Sequence, residues 1–134
     1  MSQPSASQPI SNDSARKHRI LVVEDDHLLA TFLCEALVLF GYEPVGPVAT
    51  QREAVRLAVE TRPDLVVMDV RLAEGNGIAA AIEIRERTGI RSVFATTNVD
   101  TPTKARAKAA CPAGWVGKPY AEDDIAEALA AALS

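Results

Sequence analysis

The sequence predicts an α/β fold, a three-layer sandwich in which a five-stranded parallel sheet lies between two layers made by five helices; an order of 2-1-3-4-5 would make strands one and three neighbours. Three observations lead there. Short apolar runs alternate with stretches of helical periodicity along the chain. The runs are apolar at every position rather than at alternate ones, as in strands buried on both faces of a parallel sheet. Parallel neighbours need crossover connections, which are right-handed, and the helical stretches supply them. Separate α and β halves do not fit this alternation.

Taken in order, residues 1–18 (MSQPSASQPISNDSARKH) are rich in Ser, Gln and Pro, with Ile10 as the single large aliphatic residue, and are expected to form a flexible tail before a domain at 19–134. Ile20-Leu21-Val22-Val23 is the first strand, ended by acids. Leu28, Leu29, Phe32, Leu33, Ala36, Leu37 and Phe40 recur at helical spacing, and Gly41 is placed to stop that helix. Tyr42 to Val48 reads as an edge strand because Pro44, Gly46 and Pro47 would spoil a central ladder. Thr50-Gln51-Arg52-Glu53 has the form of a capping box for a second helix that stops before Pro63. Leu65-Val66-Val67-Met68 is a strand ending at Asp69, and a small, polar loop leads to Gly77. Ile78, Ala81, Ile82 and Arg85 mark the third helix, closed by Gly89. Val93-Phe94-Ala95 ends at Thr96-Thr97. Thr101-Pro102 offers a hydroxyl cap and a first-turn proline to the Ala-rich stretch Thr103 to Ala110, which should be the loosest helix. Trp115-Val116-Gly117 is the last strand, followed by Lys118-Pro119 and a helix with Ile125, Leu129 and Leu133 on one face.

The composition excludes several classes of protein. The chain has 134 residues, 48% hydrophobic and 24% charged, the balance of a globular protein of one domain. No apolar run reaches the length of a membrane span and no secretory signal opens the chain, so no membrane association and a cytoplasmic location are expected. Cys34 and Cys111 stand far apart without a metal-ligand partner and read as buried thiols. A net charge of −4 suits nucleic acid poorly, and no direct contact with it is expected.

The polar residues fall at strand ends. Glu24 and Asp25 follow the first strand, Asp69 ends the third, Thr96 ends the fourth and Lys118 follows the fifth. All would lie on the carboxyl edge of the sheet, where open parallel sheets bind ligands at the switch in strand order. Neighbouring carboxylates at 4 Å repel by about 4 kcal/mol at an effective dielectric near 20, and a divalent cation relieves this. Hard oxygens without His or Cys favour Mg²⁺, or Mn²⁺, over zinc. A cation beside a carboxylate, a hydroxyl and an ammonium suits phosphoryl transfer, with Asp69 as nucleophile and Glu24 and Asp25 holding the metal. Asp26 is placed to cap the first helix, while His27 reads as solvated and Cys34 as packed.

These blocks, ILVVEDD at 20–26, LVVMDVRL at 65–72, VFATT at 93–97 and WVGKPY at 115–120, resemble the receiver domain of bacterial two-component response regulators, whose fold is flavodoxin-like. The resemblance implies that Asp69 is the phosphoacceptor, with Glu24, Asp25, Asp69 and the backbone carbonyl of Arg71 around Mg²⁺. It implies further that Thr96 is the switch hydroxyl, that Lys118 pairs with the phosphoryl group, and that Trp115 holds the place of an aromatic that changes rotamer on activation. The phosphoryl donor would be a histidine kinase or a histidine phosphotransfer protein. The output would be a shape change read by a downstream protein through the face from helix 4 to helix 5, in a monomer or weak dimer. Such a domain catalyses its own phosphorylation and dephosphorylation without being a conventional turnover enzyme. Since the chain closes on the fifth helix, no output domain is expected to follow; a stand-alone regulator, a relay shuttle and a piece of a longer protein all fit.

Two departures stand out. Ala73 replaces a proline common four residues after the phosphoacceptor, so the loop should be less rigid. Thr97 stands where a small Ala or Gly is common and adds a second hydroxyl beside Thr96. The resemblance also implies that the lifetime of the phosphoryl group depends on Arg71 and Asn98. Other functions fit less well. A phosphohydrolase of the haloacid-dehalogenase type wants an Asp where Arg71 stands, and a nucleotide or flavin site would be repelled by Glu24-Asp25-Asp26. A pseudo-receiver would lack the acid, Thr and Lys set.

Overall fold

The computed structural model describes residues 16–97 and 100–134. Its strands are β1 (Arg19–Val23), β2 (Glu43–Val48), β3 (Leu65–Asp69), β4 (Ser92–Thr96) and β5 (Gly114–Gly117). The helices are α1 (His27–Leu39), α2 (Gln51–Thr61), α3 (Gly77–Thr88), α4 (Thr101–Arg106, continued as a 3₁₀ turn over Ala107–Ala110) and α5 (Glu122–Leu133). All pairings are parallel, as the continuous apolar runs predict, and the order is β2-β1-β3-β4-β5, as the resemblance to receiver domains implies. Strand β2, with its two prolines and Gly46, takes one edge. Register puts Val23 beside Met68, Asp69 beside Ala95 and Thr96 beside Gly117, which brings the strand ends to one level.

Because successive side chains of a strand point to opposite faces, each strand feeds two cores. Leu21, Val23, Val66, Met68 and Phe94 face α2, α3 and α4, where Ala54, Ile78, Ile84 and Ala107 meet them. Ile20, Val22, Val67, Val93 and Val116 face α1 and α5, where Leu33, Leu37, Ile125 and Leu129 meet them. The capping reading holds at α1 and α2: Asp26 accepts the N–H of Leu29 at 3.1 Å, and Thr50 Oγ1 accepts that of Glu53 at 3.1 Å.

Several details differ from the sequence reading. Leu28 is 81% exposed because it lies on the far side of α1 from the buried stripe, which is Ala30, Leu33, Ala36 and Leu37. The core face of α3 includes Ala80 and Ile84, whereas Ile82 and Arg85 are only half-buried. Asp100, not Thr101, caps α4 by accepting the Thr103 N–H at 2.9 Å. The Ala-rich stretch is no single α-helix: it tightens into the 3₁₀ turn and ends at Cys111, which has a positive φ of 49° and an exposed side chain. The buried-thiol reading thus fails for Cys111, whose left-handed backbone turns it off the helix. Cys34 packs half-buried against the α1–α5 core. Of the expected tail at 1–18, residues 1–15 lie outside the described residues, and 16–18 are exposed without regular structure. Asn98 also lies outside them. Among the described residues, no helix is long and apolar enough to cross a membrane.

Candidate active site

Glu24 is the first residue after β1 and Asp69 the last of β3, so the β1–β3 pairing sets their carboxylates side by side at the carboxyl edge. Glu24 Oε2 accepts the Asp26 N–H at 3.0 Å, and Asp69 Oδ1 accepts the Arg71 N–H at 3.2 Å. Lys118 reaches between them. Its ammonium donates to Asp69 Oδ2 at 2.9 Å and stands 2.9 Å from Glu24 Oε1 as an ion pair. The lysine is delivered by its own backbone, since the Lys118 N–H bonds to the Thr96 carbonyl at 2.9 Å. Thr96 is buried at the end of β4 and Thr97 is exposed. A cleft of about 460 Å³ is lined by Glu24, Asp25, Asp26, Asp69, Arg71, Thr96, Thr97 and Lys118. Six of the seven expected site residues therefore line one cleft. Trp115 does not: it stacks on Phe94 with ring centroids 4.8 Å apart, beneath the Lys104 ammonium at 5.8 Å.

The electrostatics are those of a site built for positive charge. Burial pushes the Glu24 carboxyl up; the Asp26 N–H and the Lys118 ammonium oppose this, the Asp69 charge adds to it, and the result is about 7 against an ordinary 4.5. Burial alone would lower the Lys118 ammonium, but its bonds to Asp69 and Glu24 outweigh that and hold it above its usual range. Burial also raises Tyr120, two residues on, with the Glu24, Asp69 and Asp26 charges adding to it. One ammonium does not fully compensate the carboxylates. Glu24 Oε1 is buried with the Lys118 ammonium as its ion-pair partner. One ligand oxygen from each of Glu24, Asp25 and Asp69 lies within 4.8 Å of the others, so these three residues could hold a cation. The donor set fits a hard divalent ion of the magnesium type, being all oxygen, and Asp25 is the exposed member of the three.

Sequence reasoning placed Gly77 as the end of a polar loop and missed its packing against Asp69. Its N–H bonds to the Val70 carbonyl at 2.8 Å, and its α-carbon packs so closely on the Asp69 backbone that a Cβ would overlap the Asp69 carbonyl oxygen. The glycine allows α3 to start directly against the strand end that carries Asp69. The asparagine just before a glycine and an apolar helix was the available signal: Asn76 caps α3, accepting the Ala79 N–H at 2.9 Å. The loop expected to be loosened by Ala73 is instead fastened. A proline there would have no N–H, and the Ala73 N–H bonds to the Ala49 carbonyl at 3.0 Å.

This fold and cleft define a parallel α/β module with an acidic, cation-ready site at the switch in its strand order. Comparison with known proteins places it more closely. Residues 20–130 match the family model of the response regulator receiver domain. The chain is 36% identical over 122 residues to the transcriptional regulatory protein PdtaR of Mycobacterium tuberculosis, covering 91% of this chain and 60% of that one. It is 30% identical to the chemotaxis protein CheY of Bacillus subtilis, covering 84% and 94%. Among solved structures, the signal receiver domain of a modulated diguanylate cyclase from Desulfovibrio desulfuricans G20 superposes with a TM-score of 0.81 at 31% identity, covering 88% of this chain and 94% of that one. The chain belongs to the response regulator receiver family, the signalling module of two-component systems. It spans about 60% of the length of its PdtaR relative.

Proposed function

We propose that Asp69 accepts a phosphoryl group from the phosphohistidine of a histidine kinase or phosphotransfer protein, and that the occupied site signals by a change of shape. The single observation that carries this reading is the Lys118 ammonium shared between the buried carboxylates of Glu24 and Asp69 in an open cleft. A carboxylate oxygen of Asp69 would attack phosphorus as the P–N bond to the donor imidazole breaks. Magnesium, held by Glu24, Asp25, Asp69 and the backbone carbonyl of Arg71, would neutralise the charge spread over the phosphoryl oxygens. Lys118 then moves from Asp69 Oδ2 to a phosphoryl oxygen, and the Thr96 hydroxyl takes another. Thr96 is bound to Lys118 through the backbone and opposes Gly117, so its movement is felt in β5, where Trp115 sits.

The output face proposed is α4–β5–α5. Lys104 and Lys108 stand exposed on α4 and its 3₁₀ turn, and Asp123, Asp124 and Glu127 stand exposed on α5, leaving a polar surface for a downstream protein. Transcriptional regulation and chemotaxis, the roles in its relatives' names, are both outputs that such a face could serve.

The test is beryllofluoride, a phosphoryl mimic, added with and without Mg²⁺ while Trp115 fluorescence is followed. A magnesium-dependent change in the parent, absent from Asp69→Asn, is expected. A change that survives in Asp69→Asn, or none in the parent, contradicts the reading.

A further inference from the structure

The cleft has a set of fastenings outside its acids, hydroxyl and ammonium. The segment Val48–Gln51 joins β2 to α2 and runs beside both acid-bearing strand ends. The Val48 carbonyl accepts the Glu24 N–H at 2.9 Å, the Ala49 carbonyl accepts that of Ala73 at 3.0 Å, and the Gln51 N–H donates to the Glu74 carbonyl at 3.0 Å. Gln51 completes the seam with its side chain. Its Oε1 accepts the Asn76 N–H at 3.0 Å, a contact between residues 25 apart in sequence. Asn76 is also the cap of α3 and the bridge partner of Arg71. Gly75, at φ +81°, lies so close under Gln51 that a Cβ would overlap its side-chain oxygen. The turn Arg71–Asn76 is thus shaped to receive this one side chain.

We propose that Gln51 is a positioning residue of the cleft: by holding the Asn76 N–H it fixes the turn that carries Arg71 toward Asp69. The inference rests on the reading of the cleft given above. Gln51 is outside the lining of the cleft and acts through the loop. A magnesium-type ion demands near-octahedral geometry, so small drifts of a ligand-bearing turn weaken its binding.

Two variants of the full chain separate this role from general packing. Gln51→Met keeps the length and loses the acceptor, whereas Gln51→Glu keeps an acceptor oxygen. Magnesium affinity, read by Trp115 fluorescence or amide chemical shifts, should fall about tenfold in Gln51→Met and return to within about twofold of the parent in Gln51→Glu, as for partners that orient metal ligands. Hydrogen exchange of the Asn76 amide in the cation-free protein should speed up in the Met variant only, with both variants melting together. A Met variant that binds magnesium as the parent does, or a Glu variant that fails as the Met variant does, overturns the role. If the parent takes no magnesium, the reading of the cleft fails first and this role falls with it.

Discussion

On one side of the cleft, the turn after Asp69 is joined to the β2–α2 segment by backbone bonds from Ala73 and Gln51, and α3 starts hard against Asp69 through Gly77. On the other side, β4 leads into a helix of six residues that ends in a 3₁₀ turn and buries only Thr103, Ala107 and Ala110. Ile78 and Ile84 anchor α3, whereas α4 has methyl groups and the Phe94–Trp115 stack beneath it. Burial stabilises by about 25 cal/mol per Å² of apolar surface, so three small side chains hold α4 far less firmly than two isoleucines hold α3. The difference teaches a division of labour. On the proposed function, the acid side would keep its geometry and the hydroxyl side would be the one whose packing a new bond to Thr96 rearranges.

The largest effect that can break this comparison is at Lys118. Lys118→Ala leaves the Glu24 and Asp69 carboxylates without their ammonium, and should cost about 3 kcal/mol of stability at pH 8, the lower end for such pairs because Glu24 can take up a proton. Urea unfolding with and without magnesium measures it; the loss should shrink when the cation is present. A loss no larger than that of a surface lysine would show that the acid side is not electrostatically stressed.

Next comes Gly77→Ala, expected to cost about 1–3 kcal/mol because the overlapping atom belongs to the Asp69 backbone and cannot rotate aside. Urea unfolding reads the cost. A neutral result would mean that α3 and the Asp69 strand end separate easily, and the contrast with α4 would weaken.

A third test is pH. Glu24 is raised to about 7, so the folded, cation-free protein holds a proton that the unfolded chain gives up near 4.5. That stabilising share is complete below about 4.5 and is lost as pH rises through about 7. Thermal melts across this range should decline in the parent and flatten in Glu24→Gln.

The smallest effect belongs to the loose side. The Thr103 hydroxyl and N–H hold the Asp100 carboxyl below its ordinary range, so its cap is in place above the usual carboxylate pKa and is lost as pH falls through the lowered one. Asp100→Ala should barely move the global unfolding midpoint while hydrogen exchange rises at the Thr103 and Lys104 amides. A large global shift would mean that α4 is part of the rigid frame.

Much of this was legible in the sequence because side-chain type carried it. Apolar runs located the strands, and their terminal polar residues located Glu24, Asp25, Asp69, Thr96 and Lys118. Asp26 and Thr50 announced their helices. What stayed hidden depends on backbone groups, which every residue shares. Nothing in the letter for Ala73 says that its N–H meets Ala49, and the absence of proline read as looseness when it was a donor gained. The Gln51 contact with Asn76 spans the chain segments of two different loops, beyond any local period. Asp100 beat Thr101 to the α4 cap because the helix begins one residue earlier than Pro102 at the first position would place it. Leu28 is apolar but lies off the stripe that Ala30, Leu33 and Leu37 define, so residue type alone misplaced it.

The central claim, that Asp69 is a cation-dependent phosphoacceptor, is tested most directly by intact mass after incubation with acetyl phosphate. The account predicts a single acid-labile phosphoryl adduct on the parent that requires Mg²⁺ and is missing from Asp69→Asn. Equal labelling of Asp69→Asn, or an unlabelled parent in the presence of Mg²⁺, would contradict it.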